Sequence, residues 1–181
     1  MILFEDLRLL VITPAKTGGT SLYRDLAGPG GRGVTICSPD PAGDISRHGM
    51  TVPAEWREHF YRIAILVRRP DDRLVSQFVH WANTLTAKGE AAPSLLDFLT
   101  APPDYYAFGW TIAQTIARTD ATWSEVWKIE EIDLILDREG LPRVGRHNRT
   151  CHDPTDRLLA SGEARRIAEE RGRADWELFG Y

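Results

Sequence analysis

The feature that most constrains this chain is an apolar run ending in a glycine-rich turn. Leu9-Leu10-Val11-Ile12 leads into Thr13-Pro14-Ala15-Lys16-Thr17-Gly18-Gly19-Thr20-Ser21-Leu22. A continuous apolar run suits a strand buried on both faces, as in a parallel sheet, and we read it as Leu7 to Thr13. A helix then starts on Thr20 or Ser21 and runs to Ala27, where Gly28-Pro29-Gly30-Gly31 ends it. Such a turn aims backbone N–H groups, a lysine and two hydroxyls at one point. The helix N-terminus adds partial positive charge. The ligand this arrangement suits is a phosphate or a sulfate. In the nucleoside-triphosphate P-loop the lysine follows the glycines; here Lys16 precedes Gly18 and Gly19, which argues against a standard ATPase or GTPase. The bland alternative is a glycine turn carrying a solvated lysine.

Further along, the same logic places a short strand at Val34 to Cys37, a loop marked by Pro39, Pro41 and Gly43, and a helix from Pro53 to about Phe60. Tyr61 to Val67 is the next strong apolar run. Pro70 is placed to open a helix through Ser76 and Trp81, and Lys88 to Pro93 is a polar break. Ser94 with Asp97 has the spacing of a capping box. Asp104 is expected to cap a helix carrying Tyr105, Tyr106, Phe108 and Trp110. Glu125 to Glu130 reads as a fourth strand, followed by a helix that Gly140 terminates. Pro142 to Pro154 is a basic loop, and a charged helix and an aromatic tail complete the chain. Alternating strands and helices predict an α/β fold with a central, mainly parallel sheet.

The 181 residues suit a single domain, 1–181, with a sizeable core. The formal net charge of -4 excludes the overall basic field of nucleic-acid binders. An anionic ligand must therefore be held by local cations, and Lys16, Arg68 and Arg73 are placed to supply them, with a structural role for Arg73 equally open in the sequence. Cys37 and Cys151 are the two cysteines, and two reduced thiols are expected rather than a disulfide. The first residues, Met1 to Asp6, lack the pattern of a signal peptide, and no apolar run approaches a membrane span. The expectation is a soluble, cytoplasmic protein.

A second motif, Ile63-Ala64-Ile65-Leu66-Val67-Arg68-Arg69-Pro70-Asp71-Asp72-Arg73-Leu74-Val75-Ser76-Gln77, lies about one βαβ unit beyond the first. Together the two motifs resemble the P-loop sulfotransferases, most closely the carbohydrate-type cytosolic and Golgi branch. That family carries a P-K-x-G-G-T-S-L-like loop for the 5′-phosphosulfate of the donor, 3′-phosphoadenosine-5′-phosphosulfate (PAPS). It carries an R-N-P-x-D-R-L-x-S-like segment for the 3′-phosphate. Arg47-His48, Trp127-Lys128-Ile129-Glu130 and Asp175-Trp176-Glu177-Leu178-Phe179-Gly180-Tyr181 also look like family landmarks, so the resemblance covers most of the chain. It departs from the pattern at Ala15, inserted between Pro14 and Lys16, and at Arg69, where the family commonly has Asn.

The resemblance implies a three-layer P-loop-type sandwich and a PAPS-dependent sulfotransferase acting on an acceptor hydroxyl, such as that of a saccharide or small molecule. No metal is expected, because a sulfuryl group carries less charge than a phosphoryl group. His147 and His152, near Cys151 and Asp153, are a weak metal pattern for which a surface loop is the blander reading. The resemblance makes Lys16 the stabiliser of the leaving oxygen. Thr17, Gly18, Gly19, Thr20 and Ser21 become the cradle of the 5′-phosphosulfate. Arg68 and Ser76 carry over as 3′-phosphate ligands, the alternative for Arg68 being an ion pair with Asp71 or Asp72. His48 carries over as general base, a role suited to imidazole near neutral pH, with Glu130 as the rival. His59 and His80 have no assigned role. Trp56, Trp123 and Trp127 read as core, whereas Trp81, Trp110, Tyr105 and Tyr106 are candidates to line an acceptor pocket. Arg146, His147, Asn148 and Arg149 form a basic loop able to close over the donor. Two other functions fit the same architecture, a small-molecule kinase and a PAPS-binding module that has lost transfer.

Overall fold

In a computed structural model the described residues are 1–39, 45–46, 48–52, 54–59, 62–104, 109–119, 121–145 and 155–181. The chain divides into two compact units. The first comprises Met1–Arg68 and Thr115–Arg149, the second Arg69–Gln114 and Thr150–Tyr181.

The first unit is α/β. Its five-stranded sheet has β1 (Ile2–Phe4), β2 (Leu9–Ile12), β3 (Val34–Thr35), β6 (Arg62–Val67) and β7 (Glu125–Lys128) in the order β3-β1-β2-β6-β7. A separate two-stranded ribbon pairs β4 (Ser38–Pro39) with β5 (Ile45–Ser46). The sheet is mixed. β2, β6 and β7 are parallel neighbours, with Leu9 opposite Arg62 and Leu66 opposite Trp127. β1 runs antiparallel to both β2 and β3. The expected mainly parallel sheet therefore holds only for β2, β6 and β7. The departure originates at Arg8, whose left-handed φ of 49° closes the three-residue 3₁₀ turn Glu5–Leu7 and reverses the chain between β1 and β2. The expected second strand is shorter than Val34 to Cys37 and joins this antiparallel edge.

One face of the sheet presents Ile2, Phe4, Leu9, Val11, Ala64, Leu66 and Trp127. Packed with them are Leu22, Tyr23 and Leu26 of α1 (Gly19–Leu26), and Ile135 and Leu136 of α6 (Ile132–Arg138). The alternate residues Leu10, Ile12, Ile63, Ile65 and Val67 are buried as well. Both faces of β2, and of β6 beyond Arg62, are thus dry, which is why their sequences are apolar without alternation, whereas β7 at the edge of the sheet leaves Val126 exposed. α2 (Ala54–His59) lies before β6.

At the N-terminal ends of β6 and β7 the unit is stapled by charge. Arg62 forks both oxygens of Glu125 at 2.5 and 2.9 Å and reaches both oxygens of Glu139 at 2.8 and 3.0 Å. The hydrogen bonds from Arg62 hold both carboxyls below the usual glutamate range, and the two glutamates raise the guanidinium further.

The second unit is helical in its described residues. It contains α3 (Pro70–Ala87), α4 (Leu95–Thr100), the start of α5 (Ile112–Ile116), α7 (Thr155–Leu158) and α8 (Gly162–Phe179). Its core joins Leu74, Val75, Phe98, Leu99, Leu159, Ala164 and Ala168. Pro70 opens α3 as expected. The Ser94 hydroxyl accepts from Asp97 N–H while the Asp97 carboxylate accepts from Ser94 N–H, the reciprocal pair that the spacing implied. No described helix is long and apolar enough to cross a membrane.

Carboxyls with depressed pKa stabilise the fold above their unfolded pKa, and that contribution fades as pH falls through the folded value. Arg62→Ala should therefore cost about 1–2 kcal/mol at pH 7, between exposed-pair and buried-pair values. Urea titrations should show the gap between wild type and variant closing below about pH 4, the unperturbed glutamate range. A gap that persists unchanged at pH 3 would mean that the staple contributes nothing through charge.

Candidate functional site

The C-terminal ends of three parallel neighbours converge on one edge of the first unit, the edge at which open α/β sheets bind ligands. β2 runs into the glycine-rich loop. β6 runs two residues past Ile65, the partner of Ile12, and delivers Arg68. β7 runs into the 3₁₀ turn Ile129–Glu131.

The loop is wound by two left-handed residues, Lys16 at φ 67° and Gly18 at φ 92°. Glycine adopts this conformation readily, whereas a lysine there is strained by roughly 1–2 kcal/mol. Between them Thr17 is fully buried, and its N–H and hydroxyl both donate to the Pro14 carbonyl, at 3.4 and 2.8 Å. The Thr17 hydroxyl is thus used to brace the turn. Gly18 is the N-cap of α1 and puts no side chain on the first-turn N–H groups; the Ser21 N–H bonds back to the Gly18 carbonyl. A side chain at Gly18 would meet Ile129 at 2.9 Å, and one at Gly19 would meet Thr13 at 3.1 Å and Tyr23 at 3.4 Å. The left-handed φ favours glycine at Gly18, and the close approach of Thr13 leaves little room for a side chain at Gly19.

Thr13, the first residue past β2, is fully buried. Its hydroxyl shares a short hydrogen bond with the Tyr23 hydroxyl of α1, which also accepts from the Met1 nitrogen at 2.7 Å. Its carbonyl lies 3.1 Å from Nδ1 of His48, and the His48 ring meets the Tyr23 ring edge-on with centroids 6.1 Å apart. A carbonyl only accepts, so Nδ1 carries the proton in this bond and Nε2 is the basic nitrogen of the neutral ring. His48 is thereby tied to the residue from which the glycine loop departs.

The other sequence candidates fall as follows. Arg68 is half-buried at the end of β6. Asp71, one carboxylate weighed as its partner, pairs with Arg69 at 3.0 Å, and the other, Asp72, hydrogen-bonds Thr155. Glu130 is exposed on the turn after β7. Ser76 is half-buried two turns into α3, in the helical unit. Also in that unit Arg73 is 1% exposed and donates to the Trp110 carbonyl at 2.8 Å, a carbonyl it shares with Gln77. Trp81 packs on Phe98 at 5.5 Å between ring centroids. Trp110 lies outside any helix and donates its indole N–H to Asp104 at 2.6 Å; residues 105–108, which Asp104 is expected to cap, lie outside the described residues. Trp127 is core, whereas Trp56 and Trp123 are only half-buried. Cys37 is an exposed free thiol.

Pro41, Gly43, Arg47, Pro53, Phe60, Tyr61, Tyr105, Tyr106, Phe108 and the segment 146–154, with His147, Cys151, His152 and Asp153, lie outside the described residues, as does the side chain of His59. Among the described residues no group of three or more His, Cys, Asp or Glu is arranged to hold a metal ion.

Sequence reasoning missed Thr13 and Tyr23. A threonine closing an apolar run was the available signal for the first. The second depends on a contact across ten residues that no local pattern carries. The terminal landmark, by contrast, acquires a structural role in the helical unit. Asp175 accepts from the N–H groups of Ile112 and Ala113 at 2.9 and 2.7 Å, and Trp176 lies under the Arg69 guanidinium at 5.8 Å.

Comparison with family models, with curated proteins and with solved structures returns no match for the chain.

A left-handed Lys16 makes an unusual stability prediction. Lys16→Ala retains the strained conformation, and Lys16→Gly relieves it. Denaturant titration should find the glycine variant the more stable of the two, by roughly 1 kcal/mol, after allowing for glycine's extra unfolded-state entropy. An alanine variant more stable than the glycine one would show that the loop does not hold this backbone in solution.

Proposed function

We propose that the chain is a PAPS-dependent sulfotransferase. On this reading the α/β sheet belongs to a three-layer P-loop-type sandwich, and a sulfuryl group passes from PAPS to an acceptor hydroxyl by in-line displacement. The observation that carries the reading is the hydrogen bond between His48 Nδ1 and the Thr13 carbonyl. It sets a histidine, with Nε2 as its basic nitrogen, beside a loop suited to anions. An anion cradle alone fits any phosphate binder, but a cradle with an adjoining base fits transfer to a hydroxyl.

In the reaction the acceptor oxygen attacks sulfur and a new S–O bond forms. The bond from sulfur to the bridging oxygen of the 5′-phosphate breaks, and the acceptor proton passes to His48 Nε2. The Gly19 and Thr20 N–H groups at the start of α1, with the Thr20 and Ser21 hydroxyls, hold the 5′-phosphosulfate. Lys16 stabilises the bridging oxygen, whose negative charge grows toward the transition state, so its interaction is stronger there than in the bound ground state. Arg68 forks the 3′-phosphate, and Ser76 is its second ligand by resemblance.

Calorimetry tests the donor half of the proposal. The product 3′-phosphoadenosine-5′-phosphate should bind without magnesium and far more tightly than AMP. Arg68→Ala should cost the bisphosphate about 2–3 kcal/mol and leave AMP nearly unchanged. Equal affinity for the two nucleotides would remove the 3′-phosphate site and the sulfotransferase reading with it. Back-transfer from an aryl sulfate to the bisphosphate tests the chemistry. His48→Ala should lose about 10²–10⁴ in rate with donor affinity kept, whereas loss confined to Glu130→Ala would move the base to that residue. Donor binding with no transfer in any assay would favour the binding-module alternative.

A further inference from the structure

We propose that Tyr23 is a positioning residue for His48, acting through Thr13 to fix which imidazole nitrogen is basic. The inference rests on the sulfotransferase reading for its consequence in catalysis, though not for its geometry.

Three contacts carry it. The Tyr23 hydroxyl hydrogen-bonds the Thr13 side chain, the Thr13 carbonyl lies 3.1 Å from His48 Nδ1, and the Tyr23 ring meets the His48 ring edge-on at 6.1 Å. Behind them, Gly19 leaves room for Thr13 and Tyr23 to approach; a Cβ there would lie 3.1 Å from the Thr13 Cβ and 3.4 Å from the Tyr23 ring. Tyr23 is 5% exposed and belongs to the sheet-facing core through Leu22 and Leu26 of the same helix. It is therefore a rigid post.

The Met1 nitrogen donates to the Tyr23 oxygen at 2.7 Å, and the same hydroxyl shares a hydrogen bond with Thr13 Oγ1, in which either oxygen can donate. With its side chain held there and its carbonyl at the end of β2, Thr13 offers His48 an acceptor in a fixed direction. An imidazole whose Nδ1–H is engaged by a carbonyl is held in the tautomer that has its lone pair on Nε2, and its ring orientation is set at the same time. A flip of the imidazole about its Cβ–Cγ bond would carry Nδ1 away from the Thr13 carbonyl, and the edge-on Tyr23 ring packs beside the imidazole in the orientation that keeps that bond. Since Tyr23 also lies in α1, whose first turn forms the proposed cradle, one side chain sets the spacing between the anion loop and the base.

The direct test is nitrogen-15 and carbon-13 NMR of His48 in the full chain, histidine-labelled, with His48→Gln used for assignment. Above its pKa the wild-type ring should show the Nδ1–H tautomer. Tyr23→Leu, which removes both the hydroxyl and the ring, should give a mixture of the two tautomers. Tyr23→Phe, which keeps the ring and is the conservative control for folding, should fall between. In the aryl-sulfate back-transfer assay Tyr23→Phe should lower kcat several-fold, with bisphosphate affinity unchanged and the acidic limb of the pH–rate profile displaced.

A wild-type ring in the Nε2–H tautomer would overturn the proposal, as would a folded Tyr23→Leu variant with an unchanged tautomer. Because the spectra need no donor or acceptor, a protein that shows the expected tautomers yet transfers nothing would refute the sulfotransferase reading and leave the positioning role standing. If Tyr23→Leu fails to fold, the Tyr23→Phe spectra and pH profile decide: no change in either overturns the role.

Discussion

A carbonyl buried at the end of a strand must find a donor, and at Thr13 that donor is His48. The candidate site depends on this bond more than on any other. β2 is buried on both faces, so the direction of the Thr13 carbonyl is set by the sheet. The threonine hydroxyl turns to Tyr23 and ties the strand to the helix that begins after the loop. Strand end, loop, helix start and histidine thus form one hydrogen-bonded assembly, whose rigidity comes from the core beneath it rather than from the loop.

The loop itself carries the opposite character. Lys16 and Gly18 sit in left-handed backbone, and Thr17 between them uses both its N–H and its hydroxyl on the Pro14 carbonyl. A lysine held there is the kind of local strain that clusters at functional sites because the surrounding fold sustains it. The charge staple of Arg62 with Glu125 and Glu139 lies at the other ends of β6 and β7. It ties those ends together by ion pairs, and so leaves the carboxyl-end edge to Arg68 and the glycine loop.

Features governed by local chemistry were legible in the sequence. The Ser94–Asp97 capping box, the opening of α3 at Pro70 and the strands at Leu9–Ile12, Arg62–Val67 and Glu125–Lys128 follow from spacing or from continuous apolar runs. β1 was not, because three residues ahead of a turn carry no periodic signal, and its antiparallel direction depends on the backbone of Arg8. The ribbon of β4 with β5 and the short α5 were missed for the same reason of length. Among site residues, the strand–turn–helix around Lys16 was visible as a motif. The tie between His48 and Thr13 was not, since it spans thirty-five residues and one partner is main chain. Arg73 was undecided in the sequence because a basic residue near a phosphate motif reads as a ligand. Its burial against the Trp110 carbonyl gives it a structural contact that only tertiary packing reveals.

The central claim is that the glycine loop, Arg68 and His48 act on one donor molecule. A crystal structure with 3′-phosphoadenosine-5′-phosphate, grown without magnesium, tests it most directly. The account predicts the 5′-phosphate on the N–H groups at the start of α1 with Lys16 alongside, the 3′-phosphate on Arg68, and His48 still bonded to the Thr13 carbonyl. A nucleotide bound away from the glycine loop, or a 3′-phosphate that Arg68 does not touch, would contradict it.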